Sequence, residues 1–574
     1  MPHNINRRFR RAVAAALVLL ASGPLAAQRP DGPEGGADRT LVEHVLNRTT
    51  YGPRPGDVDS VQAMGLAVYL ELQLHPERIG DAALDARLAT FETLGLRTRD
   101  LVERYFQPAE EVRRRTQAAA RNQSGPGQTS PPAAAPADRS VLARQRAVMT
   151  ELAQAKILRA VMSERQLQEV LADFWLNHFN VFAGKGQVRQ YLTEYERDVI
   201  RPHVLGNFRD LLGAVAHSPA MLFYLDNWQS ASPTPTGPVS QEMERRLERR
   251  QMQMQRPVPR PARGLNENYA RELMELHTLG VDGGFTQTDV VELARILTGW
   301  TIDQPRAGGA FVFRPAMHDT GTKTFLGATF GPAGQVEGEH ALDLLARHPA
   351  TARHIAFKLA QRFVADEPPE PLVARAAAIF ASTQGDLREV VRSILTSPEF
   401  LDPGMFRAKV KTPIEFVVSA VRATGATLAT AQPLVVALQN LAMPLYGCQP
   451  PTGYSMSADA WVSSGALLNR MTFATSLVAG GRVLPIGLGR EGAPGQERPA
   501  IGGRGPARGA AARSPVRIDV GALAPDVTEA SRTSLVERLF AAGISETTAQ
   551  TLARAATPQQ LLALILGSPE FQRR

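Results

Sequence analysis

Apolar side chains recur at intervals of three and four residues along most of this chain, which is the spacing of one face of an α-helix. In residues 165–179 this stripe consists of Leu167, Leu171, Phe174 and His178. In residues 349–364, which begin with a proline suited to a helix start, it consists of Ala352, Ile355, Ala356, Leu359 and Phe363. Similar patterns predict helices at 40–47, 57–73, 141–162, 189–200, 207–216, 287–299, 339–347, 371–381, 386–396, 411–424 and 459–479.

Strand signals are few. The best is the apolar run 310–313, with 324–326 as its partner across a turn-rich segment at 320–322. The sequence therefore predicts an all-α, mainly helical fold: one large multi-helix domain at 38–480 with a small β-hairpin near 310–327.

The first 27 residues are typical of a signal peptide. Four arginines precede an apolar run at 12–21, and small residues follow at 23–27. The run is shorter than the roughly 20 residues that a membrane-spanning helix needs. We expect an exported, periplasmic or extracellular protein with no transmembrane anchor after cleavage. An uncleaved anchor is the alternative, and both the general and the twin-arginine export routes stay open.

Charge and cysteine content exclude several classes of function. The formal net charge is +8, and four arginines of the signal segment account for part of it, leaving 8 − 4 = +4 for the remainder. So modest a charge gives no reason to expect nucleic acid as a partner. Cys448 is the only cysteine, which excludes an internal disulfide and a cysteine-based metal cluster.

Three segments have the composition of surface insertions or linkers with little fixed structure. They are 107–137, 230–263 and the Gly-, Pro- and Arg-rich linker 487–514. We expect a helical C-terminal segment, 520–574, to pack on the main domain. A short repeat, LTSPEF at 395–400 and LGSPEF at 566–571, predicts two similar helical hairpins whose phenylalanines dock on the core.

The densest polar segment is residues 266–280, predicted to be a central helix that Gly280 terminates. At 100° per residue, one sector of about 100° holds Asn268, Arg271, Glu272 and Glu275. The other side holds Tyr269, Leu273, Leu276 and His277. The polar face is either a buried network or ligand site, or an ordinary solvated face.

Two further segments carry candidate chemistry. His178 lies on the apolar stripe of 165–179, either as a hydrogen-bonded core residue or as a ligand, and Asp173 and Asn177 form an i,i+4 pair on another face. His318 and Asp319 lie in a turn, where a histidine beside a carboxylate acts as a base or metal ligand, or Asp319 simply closes the turn.

These segments together predict one pocket, which holds either an N/O metal site or a His–carboxylate acid/base pair. The candidate catalytic residues are His178, Glu267, Arg271, Glu272, Glu275, His277, His318 and Asp319, with Asn266 also in the wall. The candidate metal ligands are His178, His277, His318 and Asp319, for which a divalent cation is the cofactor considered. No established metal-binding, nucleophile or phosphate-loop signature is present in the sequence.

Several motifs make the chain resemble a bacterial family called domain of unknown function 1800, over roughly 38–480 and beyond. They are FWLNHF at 174–179, LGNFRDLL at 205–212, SPAMLFYLDN at 218–227, all of 266–280, FTQTDV at 285–290, LTGW at 297–300, His318–Asp319, Lys323, HPATA at 348–352, SPEF at 397–400 and Trp461. The resemblance implies an exported, mainly helical protein without an established reaction. It also implies a partner, an exported protein of the domain of unknown function 1501 family, which is similar to sulfatases and phosphatases.

Three functional hypotheses follow. The first is an exported enzyme that performs metal-assisted or acid/base hydrolysis on an envelope or extracellular substrate, with a carboxylate as base and Arg271 holding an anionic group. The second is a non-enzymatic envelope protein that binds or scaffolds a partner such as the phosphatase-like protein. In that case the polar helix is a buried structural network that fixes helix packing. The third is a redox or haem protein, which is disfavoured because the sequence has no haem-attachment cysteine pair, although a His-ligated haem stays open.

Overall fold

Capped helices build most of the chain in the computed structural model, which describes residues 38–122, 135–233, 249, 264–480 and 515–574. Many helices begin where a Ser, Thr, Asp or Asn oxygen accepts a backbone N–H and a proline occupies the first turn, as at Ser218–Pro219. The predicted signal peptide, most of the 230–263 insertion and the 487–514 linker lie outside the described residues.

The helices before residue 233 are α1 (Arg39–Thr49), α2 (Asp57–Met64), α3 (Leu66–Leu74), α4 (Ala82–Leu88), α5 (Thr98–Leu101), α6 (Gln107–Asn122), α7 (Pro136–Met162), α8 (Gln166–His178), α9 (Val188–Glu194), α10 (Phe208–Ala216) and α11 (Pro219–Tyr224). The helices of the middle part are α12 (Glu267–Glu275), α13 (Gln287–Ile296), α14 (Gln335–Arg347), α15 (Pro349–Phe363), α16 (Glu370–Ser382), α17 (Leu387–Leu395), α18 (Pro398–Leu401), α19 (Pro413–Ala423), α20 (Gln432–Asn440) and α21 (Ser464–Val478). The C-terminal segment adds α22 (Val520–Leu523), α23 (Glu529–Leu539), α24 (Glu546–Leu552), α25 (Pro558–Gly567) and α26 (Pro569–Gln572). π-helical segments follow α5 and α9, at Val102–Phe106 and Tyr195–Ile200.

Among the described residues, strands are confined to three antiparallel pairs, so the predicted mainly helical class is confirmed. The strands are β1 (Trp300–Ile302), β2 (Phe311–Phe313), β3 (Lys323–Phe325), β4 (Ala328–Phe330), β5 (Thr427–Leu428) and β6 (Val516–Arg517). β5–β6 joins the C-terminal segment to the middle of the chain, with Thr427 opposite Arg517.

The predicted pairing of 310–313 with 324–326 is wrong. β2 pairs with β1, and β3 pairs with β4 across the tight turn at Leu326–Gly327, so two hairpins replace one. The error arose because 300–302 follows directly after the helical pattern of α13. The predicted partner of β2 therefore lay after it in the chain, at 324–326, whereas its actual partner β1 lies before it.

Two other predictions need correction, a single helix at 57–73 and little fixed structure at 107–137. The predicted helix 57–73 is two helices, because Gly65 adopts φ of 89° and breaks the chain direction between α2 and α3. The 107–137 segment is helical over α6 and from residue 136 onward. Its Ala, Arg and Gln residues are good helix formers, and Val112 is buried. Residues 123–134 lie outside the described chain.

The repeated Ser-Pro-Glu-Phe motif forms the same structure twice, as predicted. Ser397 and Ser568 each cap a short helix by accepting the amide hydrogen of the phenylalanine three residues on. Phe400 is fully buried and Phe571 nearly so. Phe571 packs edge-on against Phe416 of α19, with ring centroids 6.2 Å apart, which holds the C-terminal end against the core.

The core around Trp300 depends on one close approach. A Cβ added at Gly338 of α14 would lie 2.1 Å from Trp300 Cζ2, so only glycine allows α14 to pack directly on this ring. Trp175 and Trp300 are the largest fully buried side chains of the described residues. None of the described helices is both long enough and apolar enough to cross a membrane.

Removing the first repeated phenylalanine should destabilise the protein strongly. Phe400 is fully buried, its ring centroid lies 5.0 Å from that of His44, and its carbonyl oxygen accepts a hydrogen bond from His44 Nε2 at 2.8 Å. We expect Phe400→Ala to lower the free energy of unfolding by about 3–5 kcal/mol through the lost contacts and the cavity left behind.

Urea unfolding followed by circular dichroism measures this loss. Val281→Ala serves as the control, because Val281 is 71% exposed and its truncation should change stability by less than about 0.5 kcal/mol. Equal midpoints for the two variants would show that the repeat does not anchor the core.

Candidate functional site: a histidine-lined cavity

Three histidines from separate elements meet at the C-terminal end of α8. His178 is the last residue of α8, His277 lies in the turn after α12, and His354 lies on α15. The ring centroid of His178 is 6.4 Å from that of His277 and 6.1 Å from that of His354. The fold thus joins two predicted site residues to a third histidine that the sequence analysis did not identify.

The backbone of the turn after α12 orients two of these rings. Nε2–H of His178 donates to the carbonyl oxygen of His277, and Nε2–H of His354 donates to the carbonyl oxygen of Leu276, both at 3.3 Å. Because a carbonyl oxygen can only accept, each ring is protonated on Nε2. The lone pair of the neutral ring is then on Nδ1, which is free to accept a proton or a hydrogen bond.

The sequence predicted a helix that continues to Gly280. α12 instead ends at Glu275, and the turn follows it. The two amides after Glu275 both donate to the carbonyl oxygen of Glu272, at 3.0 and 3.1 Å. Thr278 Oγ1 donates to the carbonyl oxygen of Leu273 at 2.7 Å. Such side-chain bonds compete with helix continuation, so His277 lies in a loop and not on a helical flank.

Gly280 makes room for the third ring. It adopts φ of 84°, a conformation that favours glycine, and an added Cβ would lie 2.9 Å from His354 Nδ1. A larger residue here would displace the His354 ring from its place beside the turn.

A cavity of about 320 Å³ opens beside His178 and His354. One turn beyond His354 on α15, Lys358 also reaches this space. Asn177 fastens the opposite wall, since its amide donates to Tyr454 O at 2.8 Å and its oxygen accepts Tyr454 N–H at 2.7 Å. The full lining is Phe174, Asn177, His178, Leu276, His354, Lys358, Gln361, Thr452, Gly453, Tyr454, Ser455, Met456 and Ser457.

Burial keeps the cavity histidines neutral. It lowers the pKa of His178 well below the usual range, and His354 and His277 lower it further. Burial, with His354 nearby, lowers the pKa of His277 to about 3. Burial and the neighbouring Lys358 lower the pKa of His354 to about 4.

Among the described residues that line the cavity, Lys358 is the only lysine, and no arginine accompanies it. Burial lowers the pKa of its ammonium, which has no hydrogen bond or ion pair with any side chain in the described part of the chain. Within the described ranges, neither Asp nor Glu contributes to the lining. A wall of one unpaired cation, neutral imidazoles, amides and hydroxyls suits an anionic ligand.

The predicted polar face of 266–275 does not line this cavity. Glu267 is exposed and accepts from Gln287 at 2.8 Å, while Arg271 pairs with Glu275 at 3.4 Å and donates to Gln287 at 2.6 Å. Asn266 caps α12 by accepting the amide hydrogen of Tyr269 at 3.0 Å. This face is therefore a partly solvated surface network.

Glu272 of the same face is half-buried, and burial followed by the nearby Glu275 raises its pKa. It is likewise not part of the cavity wall. Asp173, on the helix that carries His178, pairs with Lys156 at 2.6 Å and belongs to the packing of α7 on α8.

His318 and Asp319 belong to a separate network in which every group is paired. His318 donates from Nδ1 to Thr298 O at 2.9 Å and from Nε2 to Glu337 Oε1 at 3.0 Å. Lys323 donates to Glu337 Oε2 at 2.6 Å, and Arg295 donates to Asp319 Oδ1 at 3.0 Å.

Burial alone would raise the pKa of Glu337. Its hydrogen bonds from Lys323, His318 and a backbone amide reverse that effect and lower it. This network stabilises the packing of α13, α14 and the β3–β4 hairpin.

The four predicted metal ligands are therefore divided between two places. Within the described ranges, no three His, Cys, Asp or Glu side chains are grouped so that they could hold a metal ion. The donors that the cavity does present are nitrogen and hydroxyl groups around one lysine, which fit an anion better than a cation.

A second cavity, of about 130 Å³, lies between α1, α2 and the C-terminal helices. Its wall is largely apolar, with Glu43, Arg407 and Lys411 among the polar side chains. Lys411 Nζ lies 4.1 Å from the centre of the Phe571 ring, and burial lowers the pKa of this lysine to about 7. The histidine cavity is the stronger candidate because it is the larger of the two and is lined by His178, one of the predicted site residues.

The lowered histidine pKa values predict a loss of stability in mild acid. An unfolded histidine binds a proton near pH 6.5, whereas the folded His354 and His277 do so only near pH 4 and 3. Between pH 6.5 and 4 the unfolded state therefore holds more protons, and stability falls as the pH falls. Each histidine contributes a slope of up to about 1.4 kcal/mol per pH unit.

Urea unfolding at intervals from pH 7.5 to 5 measures the slope, above the range where most carboxylates titrate. Glutamine cannot be protonated. His354→Gln should therefore make the dependence of unfolding free energy on pH shallower, by up to about 1.4 kcal/mol per pH unit. A wild-type stability that stays constant from pH 6.5 to 5 would contradict the assignment of neutral buried rings.

The family comparison covers the elements that build this cavity. The model of a family described as "Protein of unknown function (DUF1800)" matches residues 44–573. No curated protein and no solved structure shows significant similarity to the chain. Since the match spans nearly the whole chain, including all four cavity segments, this protein is a member of the DUF1800 family.

Proposed function

We propose that this protein is an exported, enzyme-like protein that binds an anionic group in the histidine cavity and hydrolyses its ester by acid/base chemistry. The observation that carries the proposal is the lining: His178, His354 and Lys358 border one cavity of about 320 Å³ to which no described carboxylate contributes. The substrate class we propose is an anionic ester on an envelope or extracellular molecule.

Each cavity group has a role in this proposal. Lys358 attracts the anion, because its ammonium is partly removed from water and has no described counter-ion. The Nδ1 atoms of His178 and His354 accept protons, since their Nε2 atoms already donate to the turn. The carbonyl oxygens of Leu276 and His277 fix the ring orientation and stabilise a protonated ring.

The ligand itself would bring the histidines into a working pKa range. Empty, the rings are too weakly basic to hold protons at neutral pH. A negative charge within a few ångströms favours the protonated form and raises the pKa of a neighbouring imidazole. Binding of the anion should therefore be coupled to uptake of a proton, which then serves the leaving group as an acid.

The proposed location rests on the N-terminal segment 1–27, with its arginines followed by an apolar run and small residues. Export would place the cavity in the periplasm or outside the cell, where its substrate would be found.

The second candidate function is the non-enzymatic scaffold for an exported phosphatase- or sulfatase-like partner. Its support is the His318–Glu337–Lys323 network, in which the polar groups are paired with one another and add rigidity, and none of the three lines the histidine cavity. In that case the histidine cavity would bind an anion without turnover, or none at all.

Sulfate binding to the mature protein tests the anion site. Sulfate stays fully ionised at pH 6–8, so any proton taken up on binding comes to the protein. Isothermal titration calorimetry in buffers of different ionisation enthalpy should show up to one proton taken up per sulfate. Lys358→Ala should weaken binding roughly 10- to 100-fold, the usual size of a lost charged hydrogen bond.

Lys185→Ala is the matched control, because Lys185 pairs with Asp226 on the surface and does not line the cavity. Absence of sulfate binding, or equal loss in both lysine variants, would refute the anion site. Hydrolysis is then tested with nitrophenyl phosphate and sulfate esters. Activity that His354→Asn removes supports the enzyme, and binding without turnover supports the scaffold.

A further inference from the structure

A second group of cations lies deep in the core and is not part of the histidine cavity. Arg48 of α1, Arg362 of α15 and Arg574 are each at least 95% buried. Arg362 Nη1 and Arg574 Nη2 lie 2.8 and 3.0 Å from the same oxygen, Glu415 Oε1. One carboxylate oxygen therefore faces two guanidinium groups.

Many nitrogens of these guanidinium groups have no acceptor. Arg48 Nη2 donates to Met405 O at 2.8 Å, but Arg48 Nε and Nη1 have no partner among the described residues. Arg574 Nη2 donates to Arg362 O at 3.1 Å, whereas Arg574 Nε and Nη1 are likewise unpartnered. Arg362 Nη1 makes an ion pair with Glu415 but no hydrogen bond with any described residue.

The three guanidinium groups are close enough to repel one another. Burial lowers the pKa of Arg48 most, and the Arg574 and Arg362 charges lower it further. Burial followed by the Arg362 charge lowers the pKa of Arg574 to about 9. The same group of charges holds the pKa of Glu415 at about 2, with Arg362 as the strongest attraction.

The local charges do not balance. A fourth buried cation, Lys409, pairs with Asp366 beside this cluster. The four positive groups Arg48, Arg362, Arg574 and Lys409 thus outnumber the two side-chain carboxylates that they face, those of Glu415 and Asp366. An uncompensated buried charge costs several kcal/mol, and each unpaired buried N–H adds to that cost.

We propose that a small monovalent anion of the chloride class binds between the guanidinium groups of Arg48, Arg362 and Arg574. One negative charge offsets part of the excess, and a single ion accepts several N–H donors at once. These three side chains line neither the histidine cavity nor the second cavity, so the proposed ion site is separate from both. The ion would link α1, α15 and Arg574, whose amide donates to Lys409 O at 2.8 Å.

Equilibrium dialysis of the full mature protein against radioactive chloride tests the proposal directly. We expect about one chloride bound per chain, displaceable by bromide but not by gluconate. Replacing gluconate by chloride at constant ionic strength should raise the Tm by about 2–5 °C, because the ion binds only the folded state. No bound chloride, and equal Tm values in the two salts, would overturn the proposal.

Two variants locate the effect. Arg48→Met should abolish both chloride binding and the salt-specific Tm shift. Arg422→Met is the matched control: Arg422 is equally buried, but its three nitrogens donate to Gly52 O, Val161 O and Asp57 Oδ2. This control should be less stable yet keep the chloride response.

Lys358→Ala should also keep the chloride response, which separates this ion from the ligand of the histidine cavity. If Arg48→Met does not fold, dialysis of the wild type still decides the question. Loss of the response in Lys358→Ala, with retention in Arg48→Met, would place the ion in the cavity and refute the core site.

Discussion

The turn after α12 is the constraint on which the candidate site depends. Its two carbonyl oxygens, from Leu276 and His277, each accept one imidazole Nε2–H from a different helix. The turn thereby fixes how α8 and α15 present their rings to a common space. Gly280 permits this arrangement, since any side chain there would press on His354.

Two kinds of buried polar cluster occur in the fold, and they differ in charge balance. The His318–Glu337–Lys323 cluster pairs each group inward, so its contribution is structural rigidity. The histidine cavity and the arginine cluster instead hold donors without acceptors among the described residues. Unbalanced positive charge in both places explains why anions are the ligands that the structure suggests for each.

The helical part of the fold followed from local pattern. The predicted helices 165–179 and 349–364 match α8 and α15 within a residue or two, because apolar spacing and a proline start are local signals. The breaks were less visible. Gly65 divides one predicted helix, and Thr278 helps end another, through backbone conformation and hydrogen bonding that periodicity does not report.

The cavity could be predicted only in part. His178 and His277 were predicted to be near each other, but His354 and Lys358 were missed. The apolar stripe of 349–364 predicts a helix and does not show what the polar side of that helix contacts. His354 and Lys358 do lie one turn apart, a spacing that could have marked a shared face. The opposite wall, 452–457, joins through Asn177 at a distance of 277 residues, which no local rule predicts.

The central claim is that an anion binds beside Lys358 and His354. Crystals of the mature protein grown with selenate, measured at the selenium absorption edge, test it most directly, with methionines left unlabelled. The account predicts an anomalous peak in the histidine cavity, within hydrogen-bond distance of Lys358 Nζ and beside the His354 ring. A map with selenate elsewhere and none in this cavity would contradict it.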